Sequence, residues 1–296
     1  MKFLLYGVNG WIGAKVFKLL QADSSVEVVA GNSRVNNVKE LEEEIKGVNP
    51  THVISLIGRT HGTYDGTAIG TIDYLEKPGK LVENVRDNLF SPVVLSLFAN
   101  KYGFHFCYLG TGCIFNFDES HPYGEERNGF TEESVPNFFG SSYSIVKGFT
   151  DQLMHLFDSS VLNIRIRMPI TDEFNDRNFI TKITKYENIC SIPNSMTVLT
   201  ELLPLMIDMA KKGVTGTVNL TNPGLITHNE ILEMYKEIVD PLFEWKNFTI
   251  DEQNQVLASG RSNNFLETRL LESLYPNMKS IKESVRDVLF SMSKNQ

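Results

Sequence analysis

The chain has 296 residues, 42% of them hydrophobic, which is enough for one large domain or two closely joined ones around a sizeable core. A formal net charge of -8 at pH 7 excludes a general affinity for nucleic acid or anionic membranes, both of which need basic surface, while local Arg and Lys can still hold a small anion. The three cysteines, Cys107, Cys113 and Cys190, form no CxxC pair and no metal spacing, and predict reduced thiols in a cytoplasmic setting. The six histidines include no HExxH, so no metal is expected, and His61, His121 and His228 read as loop or surface residues. No apolar run is long enough for a bilayer, and the first residues leave no room for a secretory leader.

KFLLYG reads as a short buried strand and WIGAKVFKLLQA as a helix with apolar residues at helical spacing. VEVVAG continues as a strand, VKELEEEIKG as a charged helix, HVISLIG as a strand, and KLVENVRDNLFSPVVLSLFANKYG as one long amphipathic helix. FHFCYLGTG, SSYSIVKGFTDQLMHLF and SSVLNIRIRMP add a strand, a helix and a strand. Near-continuous apolar strands alternating with helices predict an α/β fold, a Rossmann-type doubly wound parallel sheet covered on both faces. The predicted nucleotide-binding domain spans 1–167, with a return to the sheet near 198–222 at GTVNLTN. The less regular 168–296 reads mainly as a smaller C-terminal substrate-binding lobe.

Gly7-Val-Asn-Gly10-Trp-Ile-Gly13 is a GxxGxxG between the first strand and first helix. Glycine is needed there because a side chain would keep a pyrophosphate from the backbone at the positive helix N-terminus. The cofactor set is Gly7, Asn9, Gly10, Trp11, Ile12 and Gly13, joined by Gly58 after the third strand, with Thr60 beyond it as a substrate contact. The second strand runs into Gly31-Asn32-Ser33-Arg34 in place of the Asp or Glu that takes the ribose hydroxyls of NAD. Ser33 and Arg34 suit a 2′-phosphate, so NADPH is the expected cofactor.

Tyr143 and Lys147 form a YxxxK pair on one helical face, where an ammonium beside a phenol favours the phenolate. Thr111, at the end of the preceding strand, supplies a hydroxyl for the same oxygen. At these residues the chain resembles the extended short-chain dehydrogenase/reductase family, in which Ser/Thr, Tyr and Lys serve a carbonyl being reduced and the lysine also binds the nicotinamide ribose. Cys113 lies two residues beyond Thr111; on an extended strand end both side chains would point the same way. A thiol in a catalytic turn becomes a base when a cation is near, and the Arg177–Lys182 stretch offers a complementary acid.

The runs GWIG, TGCIF, PNFFGSSYS, RMPI, RNFITKI, IPNSMTVL, ELLP, TNPG, HNEILEMYK and SNN cover nearly the whole chain. They are similar to the bifunctional nucleotide-rhamnose synthases, 3,5-epimerase/4-reductases found as the C-terminal half of plant rhamnose synthases and free-standing in large DNA viruses. The resemblance implies conversion of a UDP- or dTDP-4-keto-6-deoxyglucose to the L-rhamnose nucleotide with NADPH. It implies that Cys113 and Lys182 are the epimerisation pair, Lys182 rather than Lys185 because it follows NFIT, and that Thr111, Tyr143 and Lys147 are the reductase set. It further implies that Asn178 and Arg261 contact the sugar and diphosphate, that IPNSMTVL lines the base, and that two copies pair as a homodimer. The segment Arg59–Gly66 departs from the plant pattern. Open alternatives are a monofunctional 4-ketosugar reductase, a nucleotide-fucose synthase, in which a histidine takes the acid role, and a non-catalytic NADPH-binding regulatory subunit.

Overall fold

The computed structural model describes residues 1–294, which divide into two compact units. The first unit comprises 1–111, 141–165 and 203–218, and the second, among the described residues, 112–140, 166–202 and 219–294.

The first unit carries a six-stranded sheet: β1 (Lys2–Tyr6), β2 (Glu27–Ala30), β3 (His52–Ser55), β4 (His105–Thr111), β5 (Val161–Ile166) and β6 (Gly216–Asn219), in the order β2-β1-β3-β4-β5-β6. The central registers are parallel, with Leu4 beside Val29 and Val53, and Val53 beside Phe106. Leu4, Leu5, Val53, Ile54, Phe106 and Cys107 are fully enclosed at 0% exposure, so these strands are covered on both faces, as the unbroken apolar runs predict. The chain order reverses between β1 and β3, and at that switch point the carboxyl ends of the strands open a crevice for a ligand.

Helices α1 (Trp11–Gln21), α2 (Val38–Val48), α3 (Ser91–Tyr102) and α4 (Ser142–Met154) belong to the same unit. α2 starts where the Asn37 side chain accepts from the Glu40 N–H, and ends at Asn49 in the left-handed region (φ 47°). α4 starts in the same way, with the Ser141 side chain accepting from the Ser144 N–H. The single long helix predicted before β4 runs helically from Leu81 to Tyr102, with one turn widened: Leu81–Val85 passes through a π-helical turn, Arg86–Phe90, into α3, which has Pro92 in its first turn. The Arg59–Gly66 departure contains one arm of a small hairpin, Gly62–Tyr64 against Thr67–Ile69, turned at Asp65 and Gly66 with φ of 48° and 74°.

The second unit holds α5 (Phe179–Ile183), α6 (His228–Ile238) and α7 (Ile281–Lys294) around an apolar cluster that includes Ile170, Ile183, Met196, Ile231, Val285 and Leu289. α6 opens on a full capping box between Thr227 and Glu230. This unit takes 112–140 out of the 1–167 span of the sequence reading. Ile114, Phe115 and Phe130 pack on Leu266, so the stretch has its own apolar anchor far along the chain. His228 is also no surface residue: it is the first residue of α6, its ring edge meets Phe179 at 5.2 Å, and burial pulls its pKa down to about 4.

No helix among the described residues is long and apolar enough to cross a membrane.

Candidate functional site

The glycine turn is built for close approach. Gly7 has φ 87°, and a Cβ there would meet the Leu56 carbonyl carbon at 2.9 Å. A Cβ on Gly13 would lie 1.9 Å from the Gly7 oxygen, and the Gly10 N–H donates to that same oxygen at 3.0 Å. Gly10 caps α1 with no side-chain hydrogen bond, so no side chain of the cap covers the N–H groups of the first turn. Asn9, Trp11 and Ile12 complete this turn, which fits a dinucleotide pyrophosphate.

Beyond β3, Gly58 has Asn88 Oδ1 3.4 Å from where its Cβ would be, and a network that sequence patterns do not reveal fixes the loop. Asn88 Oδ1 accepts from the Arg59 N–H at 2.9 Å, while its Nδ2 donates to the Arg59 carbonyl at 2.8 Å and to Asn84 Oδ1 at 2.9 Å. Asn84 Nδ2 in turn reaches Ser142 Oγ at 3.3 Å, and the Thr150 hydroxyl donates to the Asn88 carbonyl at 2.7 Å. The Arg59 side chain donates to Asp87 at 2.9 Å, and the Thr60 hydroxyl lies 3.1 Å from His61 Nδ1. Asn84 and Asn88 are fully buried, so this polar chain is a rigid support for the loop.

At the end of β2, the Asn32 N–H donates to Glu44 Oε1 at 2.7 Å and the Ser33 N–H to Glu44 Oε2 at 3.2 Å. The Ser33 hydroxyl donates to the Glu40 carbonyl at 3.3 Å, and Arg34 is exposed. An acidic side chain thus stands at the strand end after all, supplied by α2.

Tyr143 and Lys147 lie on α4, both buried, and Thr111 ends β4 at 7% exposure. Lys147 Nζ donates to Tyr108 Oη at 2.5 Å and lies 4.7 Å from the centre of that ring. The sequence reading set this ammonium against Tyr143 and passed over Tyr108, because a strand tyrosine reads as core. Burial pushes the Tyr108 phenol far above its ordinary value, and the neighbouring Tyr143 and Asp151 add to that, so Tyr108 stays neutral and positions Lys147.

In the second unit, Cys113 is half-buried in a turn. The strand stops at Thr111, so the alternation expected to orient Cys113 does not reach it. Instead the Gly112 N–H donates to the Ile166 carbonyl at 3.0 Å, and the Gly112 carbonyl accepts from Arg167 Nη1 at 3.0 Å and Asn264 Nδ2 at 2.9 Å. A Cβ on Gly112 would strike Leu266 Cδ1 at 2.5 Å, so only glycine fits ahead of the thiol. Arg167 is almost fully buried, and its other N–H groups reach Ser195 O, Ser262 Oγ, Ser262 O and Asn194 Oδ1. Every one of these acceptors is neutral. Burial draws the guanidinium below the ordinary arginine value, and the opposing influence is the adjacent Cys113.

Lys182 lies on α5. Burial lowers its pKa, the cations Arg177 and Arg261 lower it further, and Asp176 opposes them. Arg177, Lys182 and Arg261 therefore form a cationic group suited to a phosphorylated ligand, with an amine biased toward the neutral form. Arg261 Nη1 is braced by Ser259 O at 2.9 Å. Lys185, by contrast, is exposed and paired with Asp176 at 2.5 Å.

Two stretches that the resemblance implies as ligand contacts are enclosed within the protein. Asn178 has 0% exposure and caps α5; Oδ1 accepts from Ile180 and Thr171, and Nδ2 donates to the Thr171 and Glu173 carbonyls, so no bonding capacity remains for a sugar. The IPNSMTVL run is buried without a break from Asn194 to Leu199, and its polar members Asn194, Ser195 and Thr197 bind Arg167, while Pro193 is half-buried.

No family model matches the chain. It is 51% identical, over 100% of both chains, to a protein of Acanthamoeba polyphaga mimivirus. A crystal structure of a UDP-rhamnose synthase from that virus, also 51% identical, matches with a TM-score of 0.93 over 99% of each chain. It is 41% identical over 293 residues, 99% of this chain and 93% of the relative, to the bifunctional dTDP-4-dehydrorhamnose 3,5-epimerase/dTDP-4-dehydrorhamnose reductase of Arabidopsis thaliana. A dTDP-4-dehydrorhamnose reductase from Clostridium acetobutylicum, 18% identical, shares the fold with a TM-score of 0.77 over 98% of each chain. With full-length identity of 51% and 41% to these proteins, the chain belongs to the rhamnose synthase family of nucleotide-sugar epimerase/reductases.

Proposed function

We propose that the protein converts UDP-4-keto-6-deoxyglucose to UDP-L-rhamnose, inverting carbons 3 and 5 and reducing carbon 4 with NADPH. The observation that carries this reading is that one chain holds both a thiol turn, with the buried cation Arg167 bonded to the Gly112 carbonyl beside Cys113, and a Thr111/Tyr143/Lys147 reductase set, and that its full-length relatives are named for both activities.

A ketone at carbon 4 acidifies the hydrogens on carbons 3 and 5. Cys113, as the thiolate, takes a proton from the ring, leaving an enolate, and the Lys182 ammonium, made a stronger acid by its lowered pKa, returns one to the opposite face; this inverts each centre with no change in redox state. A positioned acid or base contributes on the order of 10² to 10⁴ in rate. Tyr143 then gives its proton to the carbonyl oxygen, Thr111 holds that oxygen, and Lys147, steadied by Tyr108, keeps the phenol poised. A dinucleotide held by the Gly7–Gly13 turn would supply the hydride that carbon 4 takes. Arg261 and Arg177 meet the diphosphate, and Thr60 the sugar.

The deciding experiment is incubation with UDP-4-keto-6-deoxyglucose and NADPH, with the product sugar identified by NMR. L-rhamnose is expected. A D-configured 6-deoxyhexose would reduce the protein to a plain reductase, and unconsumed NADPH would remove the reductase reading as well.

The cofactor choice rests on Arg34, exposed at the β2 end. Arg34→Ala should weaken NADPH binding about tenfold and leave NADH unchanged, since one charge-assisted contact to a 2′-phosphate is lost. Fluorescence titration checks this, and an unchanged NADPH affinity would move the phosphate site elsewhere.

We also propose a homodimer. Leu81, Val82 and Val85 on the helix before the π turn, Leu97 on α3 and Phe149 on α4 are exposed, Val82 by 70% and Phe149 by 60%. Exposed apolar side chains on helices are the kind of surface that helix-bundle interfaces cover. Light scattering should give twice the chain mass at micromolar concentration, and Phe149→Glu should give the monomer; a wild-type monomer would end the proposal. Cysteines held outside disulfides, as Cys107, Cys113 and Cys190 are, fit a cytoplasmic setting.

A further inference from the structure

We propose that Glu44, on α2, limits how strongly this chain can prefer NADPH over NADH; the proposal rests on the dinucleotide site put forward above. The residues just after the second strand of such a sheet meet the adenosine ribose: an acid there takes the hydroxyls of NADH, whereas N–H groups with Ser and Arg take a 2′-phosphate.

The strand end itself carries no acid, only Gly31-Asn32-Ser33-Arg34. Glu44 reaches it from the next helix, as the N–H bonds of Asn32 and Ser33 show, and Tyr6 Oη donates to Oε2 at 2.8 Å. The placement is built in. A Cβ on Gly31 would lie 2.4 Å from the Tyr6 ring, so only glycine lets that ring sit under the loop and deliver its hydroxyl to the carboxylate. Leu41 and Ile45, buried on α2, fix the helix so that Glu44 turns to the strand end. Burial opposes ionisation of Glu44, but the hydrogen bonds from Asn32, Tyr6 and Ser33 outweigh it and hold the carboxyl below the usual glutamate range.

The consequence concerns charge. Two N–H groups and the Ser33 hydroxyl, which a phosphate would use, are already engaged by the chain's own oxygens. Arg34 is the cation left to attract the 2′-phosphate, and the Glu44 carboxylate stands beside the same loop and repels it. NADH brings a neutral hydroxyl, which meets no such repulsion and can donate to the carboxylate.

The test is direct binding of each dinucleotide alone, without sugar substrate, by calorimetry at low ionic strength. Wild type should bind NADPH and NADH with dissociation constants within about tenfold of each other, because attraction to Arg34 and repulsion from Glu44 largely offset. Glu44→Gln keeps the shape and one acceptor oxygen but removes the charge; it should tighten NADPH on the order of tenfold and leave NADH within about twofold. A wild-type preference beyond about a hundredfold, a measurement needing no variant, overturns the proposal. So does a folded Glu44→Gln with an unchanged ratio, which leaves the dinucleotide site itself standing. If wild type binds neither dinucleotide, the cofactor reading falls, and this proposal with it.

Discussion

Cys113→Ser should bind NADPH as the wild type does and yet lose proton exchange at carbons 3 and 5 by a factor of about 10² or more. The substitution keeps the size of the side chain, and Gly112 still shields the turn from a clash with Leu266. What changes is the chemistry: a cysteine thiol ionises near about 8.5, while a serine hydroxyl does not ionise usefully. Incubation in deuterated water with UDP-4-keto-6-deoxyglucose, read by NMR, isolates the step, because each turn of proton abstraction leaves a deuteron behind. Tyr143→Phe should give the reverse pattern, exchanging at both carbons while failing to oxidise NADPH. Lys182→Ala should slow the exchange, since the ammonium that burial and two arginines make a stronger acid is removed. If Cys113→Ser exchanges deuterium and forms L-rhamnose at wild-type rates, the thiol is packing and the chain is a reductase.

How much of this was readable beforehand depended on whether a residue's role is local. The sheet was readable because Phe3–Tyr6 and Phe106–Tyr108 are unbroken apolar runs, and such runs are buried on both faces wherever they pair. The glycine turn was readable for a similar reason: what Gly10 and Gly13 do is decided inside the turn, against Gly7, although Gly7 itself is also pressed by Leu56. Roles decided by distant partners were not. Lys147 reads as the partner of a tyrosine four residues away, and only the fold shows that its ammonium also reaches Tyr108, on a strand 39 residues earlier. Glu44 reads as one more charge on an acidic helix, and only the fold brings it to Asn32 and Ser33. Asn178 shows the opposite error. An asparagine in a motif suggests a ligand contact, whereas here it caps a helix and folds its own loop. The π turn at Arg86–Phe90 has no sequence signal, since the apolar spacing on either side remains helical.

Arg167→Met should lower stability by about 4 kcal/mol, among the largest losses expected of a single substitution in this chain. Nothing in RMPI marks this arginine, because a charged residue beside a strand normally turns outward. Here it is enclosed, and its N–H groups tie three stretches of chain: the Cys113 turn through Gly112, the 194–197 stretch through Asn194 and Ser195, and the 262–264 stretch through Ser262. Methionine fills much of the volume but donates nothing, so the Ser195 and Ser262 carbonyls lose their Arg167 donor inside the protein. For a chain of this size the loss corresponds to a drop in melting temperature on the order of 10 °C. Arg167→Lys separates charge from geometry: it restores a cation but offers at most three donors without the planar fork, so it should recover only part of the loss. Calorimetry reads both variants, and a melting point within about 2 °C of wild type for Arg167→Met would show that the guanidinium does not hold the turn. The same variant tests the link from packing to chemistry. The Gly112 carbonyl would keep only its bond from Asn264 Nδ2, so the thiol turn should loosen and deuterium exchange should fall even below the melting transition, while NADPH binding at the glycine turn stays at its wild-type value.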